Sequence, residues 1–299
     1  MVSTGREAVS EEGPGDPSRP VPRSGRPFEP TVIEPPAGFD VRLTELWSYR
    51  ELAWLLVLRT IKPRYRQTVL GIGWAVFPPV VMMVVFSVFL NRAAGIPSAK
   101  GIPYPVFSYS GLLVWQYFAN ASTRGATSLL GNAAFLTKVY FPRLLIPLST
   151  VAAAIFDFAI ALLVLVPLMI AYGIAPGWQV LALPAFVVLA ALLALAVSLW
   201  VSAASVRYRD LNVAIPLVVQ VWMFVTPVIY PVTVLPASWR TAALVANPLA
   251  SIVGGFRWTL IGGAPPDWTL AVSAGVALVA TAGGIVFFNR MESTYADEI

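Results

Sequence analysis

Groups that could catalyse a reaction or bind a metal are scarce in this sequence. Between Leu70 and Met291 the only acids are Asp157, Asp210 and Asp267, which lie far apart along the chain. The sequence contains no His and no Cys. Catalytic and metal centres need several such groups close together. We therefore expect no metal site, no disulfide, and no triad or thiol nucleophile.

The sequence also lacks the device with which many proteins hold nucleotides. A phosphate-binding loop reads G-x-x-x-x-G-K-[ST], and no such string occurs. The glycine pairs Gly254-Gly255 and Gly262-Gly263 are not followed by Lys and Ser or Thr. We expect no cofactor in this chain, and no ATP bound by this device.

Composition indicates a membrane protein. The 299 residues are 58% hydrophobic and 12% charged, about half the charged fraction of a typical soluble domain. Several apolar runs reach the roughly 20 residues that a membrane-spanning helix needs. Because a helix satisfies its own backbone hydrogen bonds in lipid, we predict an all-α integral membrane protein.

The apolar runs and their flanking charges predict six transmembrane helices. These run over about residues 69–90, 104–126, 144–172, 180–206, 212–230 and 270–288. Lys and Arg mark cytoplasmic segments in membrane proteins. Ten basic residues fall on one side in this arrangement, at Arg59, Lys62, Arg64, Arg66, Arg124, Lys138, Arg143, Arg207, Arg209 and Arg290. The other side carries Arg92, Lys100, Arg240 and Arg257. Both termini are therefore expected in the cytoplasm, and the net charge of +5 is not a nucleic-acid signal.

The chain divides into three parts. Residues 1–40 are rich in Pro, Gly and Ser and predict a disordered cytoplasmic tail. Residues 41–66 predict an amphipathic helix at the membrane interface, followed by the transmembrane domain at 67–299. The apolar face of that helix would hold Leu43, Leu46, Trp47, Trp54, Val57, Leu58 and Ile61.

A short basic segment at 132–149 separates the second and third predicted spans. It reads NAAFLTKVYFPRLLIPLS. Gly131-Asn132 breaks the preceding helix, and Pro142 disfavours helix at Phe141. We predict a short amphipathic helix on the cytoplasmic membrane face. The alternative is an ordinary basic loop.

The segment 232–263 does not fit a simple span. Split at Asn247-Pro248, it gives two apolar helices too short to cross a bilayer. We predict two half-helices that enter from the outer face and return. The alternative, a seventh span, would place Arg257 in lipid and the C-terminus outside.

Asp157 is the one acid deep within a predicted span, where a carboxylate needs a partner. We predict a structural role, with Gln116 at similar depth as a possible hydrogen-bond partner. Aromatic rings in or beside the predicted spans are candidates for lining a path through the membrane, although packing is the competing explanation. These candidates are Trp74, Trp115, Tyr117, Phe118, Trp222, Phe224 and Tyr230.

Four strings carry a resemblance to a known family. They are IKPRYRQTVLG at 61–71, TKVYFPRLLIPLS at 137–149, RYRDL at 207–211 and NPL at 247–249. In this order the chain resembles the permease subunit of type-2 ABC exporters, in the branch that exports lipid-linked polysaccharide such as O-antigen, capsule or teichoic acid.

The resemblance implies partners and site residues. A permease of this kind pairs with itself, binds two ATPase subunits and lies in the bacterial inner membrane. ATPase contact is implied for Asn132, Lys138, Tyr140, Phe141, Pro142, Arg143, Arg207, Tyr208, Arg209 and Asp210. An outer gate is implied at Trp239, Asn247, Pro248 and Arg257. ATP hydrolysis is expected on the partner, so this chain itself is not expected to be an enzyme.

Other functions stay open on the sequence. An ABC exporter for a small hydrophobic drug or lipid would have similar spans, because apolar helices do not identify the cargo. A membrane-embedded transferase would need clustered acids, His or Cys. A proton-coupled carrier usually needs more buried titratable groups than the single Asp157.

Overall fold

The computed structural model describes residues 47–66, 71–99, 101–132 and 141–298, with side chains up to residue 291. These residues belong to one compact unit. They form helices and contain no strand, which confirms the all-α prediction for the described part. In chain order the helices are α1 Arg50–Tyr65, α2 Gly73–Phe86 with a π-helical continuation Ser87–Ala93, α3 Tyr104–Ala126, α4 Ser128–Gly131, α5 Leu145–Ala171, α6 Leu183–Arg207 after the 3-10 turn Trp178–Ala182, α7 Leu211–Val225, α8 Ala237–Ala246, α9 Pro248–Ile261 and α10 Trp268–Glu298.

Helix α3 is the centre of the bundle. It contacts α2, α5, α6, α7 and α9, and most of its residues are buried. At 23 residues it is long enough to cross a bilayer. Because it contains Ser, Asn and Gln, it is not among the helices whose composition is apolar enough for a membrane span. A helix surrounded by protein needs no apolar surface for lipid, which explains this composition.

Small residues let α3 and α6 approach closely. A Cβ at Gly125 would collide with the side chain of Ser198. The Ser198 hydroxyl donates to the carbonyls of Ala194 (2.7 Å) and Ala121 (3.3 Å), and so bonds to both helices. Close backbone approach and hydroxyl bonds are the usual means of packing helices within a bilayer.

Helix α10 packs along α6 by the same means. A Cβ at Gly284 would lie 3.1 Å from the Cβ of Leu199. The indole N–H of Trp200 donates to the Ala280 carbonyl (2.9 Å), and its ring stacks on Phe287 at 4.8 Å between centroids. The predicted span at 270–288 lies within α10. The residues after 288 were predicted as a tail, whereas the helix continues to Glu298.

Four helices within the described residues are long and apolar enough to cross a membrane. They are Gly73–Ala93, Leu145–Ala171, Trp178–Arg207 and Trp268–Met291, and the bent pair α8–α9 raises the number to five if it is counted as one span. Helix α7 has 15 residues, about 22 Å at ~1.5 Å per residue. It is therefore shorter than a bilayer core of roughly 30 Å. The predicted count of six depends on α3 and α7.

Helices α8 and α9 form the bent pair predicted at Asn247-Pro248. Their axes differ by 101°. Asn247 ends α8, and its amide donates to the Thr226 hydroxyl (2.8 Å) just beyond α7. Pro248 begins α9, where its missing N–H costs nothing. The bend is therefore fixed to the end of α7.

Helix α1 runs alongside α5. Leu56 and Val57 form its buried side, whereas Trp47, Trp54 and Leu55 are exposed. Within the predicted apolar face, Val57 is buried, Leu58 and Ile61 are half-buried, and Trp54 is exposed, so that face contacts the bundle in part. Residues 41–46 and the 1–40 tail lie outside the described residues. Placement of α1 at the membrane interface stays a prediction.

Candidate functional site

Buried apolar side chains from several helices pack together at one end of the bundle, and we call this group the basal cluster. Its buried members are Leu56, Leu129, Phe141, Leu144, Leu145, Ile146, Leu199, Ala203, Val206 and Phe288. They come from α1, α4, the start of α5, the end of α6 and α10. Both segments predicted to contact an ATPase therefore adjoin the same end of the molecule.

Phe141 belongs to the interior of this cluster. Its side chain is 3% exposed. A ring with so little free surface has almost none to offer another protein, so the structure supports a packing role for Phe141. Its contact with an ATPase stays a prediction. Its apolar surface packs within the chain because α1, α6 and α10 converge there. Pro142 and Arg143 are half-buried beside it.

The remaining residues of that segment are only partly described. Asn132 is half-buried and donates to the Ser128 carbonyl (2.8 Å), which closes the end of α4. Lys138 and Tyr140 lie outside the described residues, as does the amphipathic helix predicted around them. Their contact with an ATPase stays a prediction.

The turn between α6 and α7 is exposed throughout. Arg207, Tyr208, Arg209 and Asp210 all lie at the surface, and Tyr208 is 56% exposed. The guanidinium of Arg207 lies 5.8 Å from the centroid of the Tyr208 ring. The Asp210 carbonyl accepts from the amide of Val213 (3.0 Å), which starts α7. The turn thus presents an aromatic ring between two arginines, at the connection between α6 and α7.

Asp157, near the middle of α5, holds three elements together. Its Oδ2 accepts from Arg64 of α1 at 2.6 Å and lies 3.5 Å from Arg124 of α3. Its Oδ1 accepts from the Tyr65 hydroxyl. Burial, followed by the bond to Asp157, raises the pKa of Tyr65, so the phenol stays a proton donor at neutral pH. The expected structural role is supported, but with these partners in place of Gln116.

A cavity of about 310 Å³ opens beside this ion cluster. It lies between α1, α2, α3 and α5, and we call it the α3 cavity. Polar and aromatic side chains share its wall: Arg64, Trp74, Gln116, Tyr117, Asn120, Arg124 and Asp157. The Tyr117 hydroxyl is buried and has no hydrogen-bond partner within the described residues. A buried hydroxyl without a partner is energetically costly, so this wall is suited to a polar ligand or water.

The seven candidate path aromatics occupy different environments. Trp115, Tyr117 and Phe118 are 4%, 3% and 0% exposed, and so belong to the core. Phe118 packs edge-on against Trp222 at 5.3 Å. The Tyr230 hydroxyl donates to the Phe224 carbonyl at 3.0 Å. The large exposed rings of this set are Trp74 and Phe224, for which a path role stays a prediction.

Arg257 of α9 is buried, although no carboxylate lies against it in the described part of the chain. Its guanidinium donates to the carbonyls of Pro227 (2.9 Å), Phe107 (3.1 Å) and Val228, and it stacks 3.7 Å from the Phe107 ring centroid. A Cβ at Gly111 would collide with this guanidinium. Arg257 therefore joins α9 to α3 and to the end of α7. Trp239 of α8 is 68% exposed.

Part of this arrangement could have been found from the sequence. Gln116, Asn120 and Arg124 follow one another at four-residue intervals, which places a polar stripe along one side of α3. Asn120 and the roles of Tyr65 and Arg124 were not predicted. The bond between Arg64 and Asp157 joins residues 93 positions apart, and no local pattern indicates it.

Comparison with known proteins identifies the family. The model for the ABC-2 type transporter family matches residues 51–261, from α1 through α9. The chain belongs to the ABC-2 type transporter family. The match excludes residues 1–50 and α10, so the shared part is the helical bundle that surrounds the α3 cavity.

Three curated relatives align with most of the chain. An O-antigen export system permease protein RfbA of Myxococcus xanthus is 31% identical over 259 residues, covering 85% of this chain and 98% of the relative. Two proteins of the same name from Klebsiella pneumoniae are 28% and 26% identical over 252 residues, each covering 83% of this chain and 94% of the relative. The similarity therefore extends over nearly the whole length of each relative.

Proposed function

We propose that this chain is the membrane-spanning permease of an ATP-driven exporter of lipid-linked polysaccharide of the O-antigen type. The observation that carries the proposal is the 31% identity over 98% of a relative named as an O-antigen export permease. Family membership by itself supports only a transporter permease.

The energy would come from a separate subunit. The sequence has no phosphate-binding loop, and ATP and Mg²⁺ would therefore bind to a partner. We propose the exposed turn at Arg207–Asp210 as a contact for that partner. Aromatic and Arg side chains are typical of protein interfaces, and both are exposed there. Two ATP-binding subunits would serve a permease dimer.

We further propose that two copies of this chain form the permease. The exposed side of α7 is apolar, with Val213, Leu217, Val221 and Phe224 each more than half exposed. Such a surface suits lipid or a second copy of the chain. Because α3 is enclosed within one chain, it would not line a wide path by itself. The exposed sides of α7 from two chains would together complete the wall of such a path. The pair would lie in the bacterial inner membrane with six spans and both termini in the cytoplasm.

Deleting the gene in its native host tests the cargo. We expect the deletion to remove long glycan from the cell surface and to leave lipid-linked glycan inside the cell. The intact gene should restore surface glycan, and sensitivity to hydrophobic drugs should not change. Normal surface glycan together with altered export of a drug or lipid would contradict the proposal and favour the hydrophobic-cargo alternative.

A further inference from the structure

The α3 cavity carries more positive than negative charge. Arg64 and Arg124 face one carboxylate, that of Asp157. Between Leu70 and Met291 the other acids are Asp210, in the exposed turn after α6, and Asp267, just before α10. Two guanidiniums and one carboxylate leave a charge of +1 at the wall. A cation in a partly buried site favours an anionic ligand, because the lower dielectric strengthens the attraction.

The two guanidiniums still have donors to offer. Each guanidinium carries five N–H groups. Arg64 donates through Nη1 to Asp157 Oδ2 at 2.6 Å, whereas Nη1 of Arg124 approaches the same oxygen at the longer distance of 3.5 Å. The Arg124 side chain is also 41% exposed, against 19% for Arg64. Arg124 is therefore the cation more available to a ligand.

The rest of the wall is neutral and combines apolar residues such as Pro78, Pro79 and Leu113 with polar and aromatic side chains. The Tyr117 hydroxyl is buried without a partner within the described residues. Gln116 and Asn120 add amide groups one helical turn apart, and Trp74 adds a half-exposed ring. The Tyr117 hydroxyl can donate to a phosphate oxygen. The amides match the hydroxyls of a sugar, and an indole offers a flat apolar face to a sugar ring. This set differs from a site built for a bare anion.

We propose that the α3 cavity binds the phosphate ester that joins a lipid to its glycan, with Arg124, Arg64 and the Tyr117 hydroxyl on the phosphate and Gln116 and Asn120 on the adjoining sugar. This inference rests on the proposed function for its choice of a lipid-linked ligand. Arginine is well suited to phosphate, since its planar fork forms two parallel charge-assisted hydrogen bonds. The volume of about 310 Å³ lies at the lower end of ligand pockets, which span roughly 300–1,000 Å³. It fits a head group and excludes a long glycan.

Binding of farnesyl phosphate to the full-length permease in phosphatidylcholine nanodiscs tests the proposal. Farnesol lacks the phosphate and is the matched ligand, so it should bind at least about tenfold more weakly. Arg124→Gln removes the available cation and should weaken farnesyl phosphate binding about tenfold. Tyr117→Phe removes one oxygen and should weaken binding about threefold.

Two control variants separate a specific loss from a general one. Arg92→Gln makes the same charge change at an exposed position at the end of the π-helical segment. Tyr104→Phe removes a hydroxyl from the same helix as Tyr117, but that hydroxyl donates to the Ile229 carbonyl at 2.8 Å and not into the cavity. Both variants should bind farnesyl phosphate like the wild type. If Arg124→Gln does not fold, the comparison of Tyr117→Phe with Tyr104→Phe decides the question.

Three results would overturn the proposal. Unchanged binding in both Arg124→Gln and Tyr117→Phe would remove the cavity from recognition. Dioctanoyl phosphatidic acid that competes as well as farnesyl phosphate would assign the cavity to bilayer phospholipid, and inorganic phosphate that competes equally would assign it to a free anion. The assay contains no glycan and no ATPase. Its failure would therefore leave the export function standing, and loss of that function would leave a binding result intact.

Discussion

Two segments at the same end of the bundle were predicted to contact an ATPase. An aromatic ring of the first segment is buried, whereas the aromatic ring of the second is exposed. Phe141 is 3% exposed inside the basal cluster, whereas Tyr208 is 56% exposed in the turn after α6. Tyr208 lies between Arg207 and Arg209, and Phe141 lies two residues before Arg143, each in a short connection. The difference is that helices distant in sequence cover Phe141, through Leu56 and Phe288, and leave Tyr208 free. Loop position and residue type therefore do not determine which aromatic is available to a partner.

Replacing the buried ring of Phe141 should have the largest effect. Phe141→Ala should destabilise the permease by roughly 3 kcal/mol or more, because it leaves a cavity among several helices. We expect reduced accumulation in the membrane and a lower melting temperature in detergent. Phe141→Leu should recover most of both. Phe89→Ala is the matched control, since Phe89 is 62% exposed. Normal stability of Phe141→Ala would show that the ring is not a core residue.

Replacing the exposed ring of Tyr208 should affect assembly without affecting folding. Tyr208→Ala should weaken binding of the ATP-binding subunit by about 2 kcal/mol, as loss of an aromatic anchor does at other interfaces. This corresponds to roughly a 30-fold change in Kd. The measurement is co-purification of the partner with permease whose melting temperature is unchanged. Full co-purification would remove Tyr208 from the contact.

The flanking arginines should contribute less than the ring. Arg207→Ala and Arg209→Ala should each cost about 1 kcal/mol or less, because salt screens charges at an exposed rim. Titrating the partner at 50 mM and 300 mM salt would measure this. The difference between wild type and each Arg variant should shrink at high salt, whereas the Tyr208→Ala difference should persist. If the Arg variants weakened binding more than Tyr208→Ala does, charge and not the aromatic ring would determine binding of the partner.

Single cysteine substitutions should perturb the protein least, and they test whether the two segments lie on the same side of the membrane. Because the sequence has no Cys, Gly131→Cys and Arg209→Cys provide single thiols near the two segments, and Ser238→Cys provides one on α8. All three positions are exposed. An impermeant thiol reagent should label Ser238→Cys on intact spheroplasts and the other two only after permeabilisation. Labelling of Gly131→Cys and Arg209→Cys from opposite sides would contradict the six-span arrangement.

The sequence predicts the helices better than it predicts their contacts. Apolar runs located α2, α5, α6 and α10, because a lipid-facing helix needs a continuous apolar surface. The break at Asn247-Pro248 followed from local backbone chemistry. Contacts such as Arg257 with the Phe107 carbonyl join residues 150 positions apart. Only the folded bundle brings such residues together, so no local pattern could reveal them.

The same limit applies to the candidate site. Asp157 was recognised because an acid within an apolar run is conspicuous. Its partners Arg64 and Tyr65 belong to a segment whose basic residues also suit an ordinary cytoplasmic flank. Burial of Tyr117 without a partner for its hydroxyl depends on how α2 and α5 pack against α3. These features require tertiary structure, whereas the polar stripe at Gln116, Asn120 and Arg124 did not.

ATP hydrolysis by the purified chain, alone and with its ATP-binding subunit, tests most directly the claim that this protein is a permease powered from outside. We expect no hydrolysis by the chain alone. ATP-dependent movement of lipid-linked glycan across proteoliposomes should require both proteins, and Tyr208→Ala permease should support neither full assembly nor full transport. Robust hydrolysis by the isolated chain, or ATP-driven transport without the second subunit, would contradict the account.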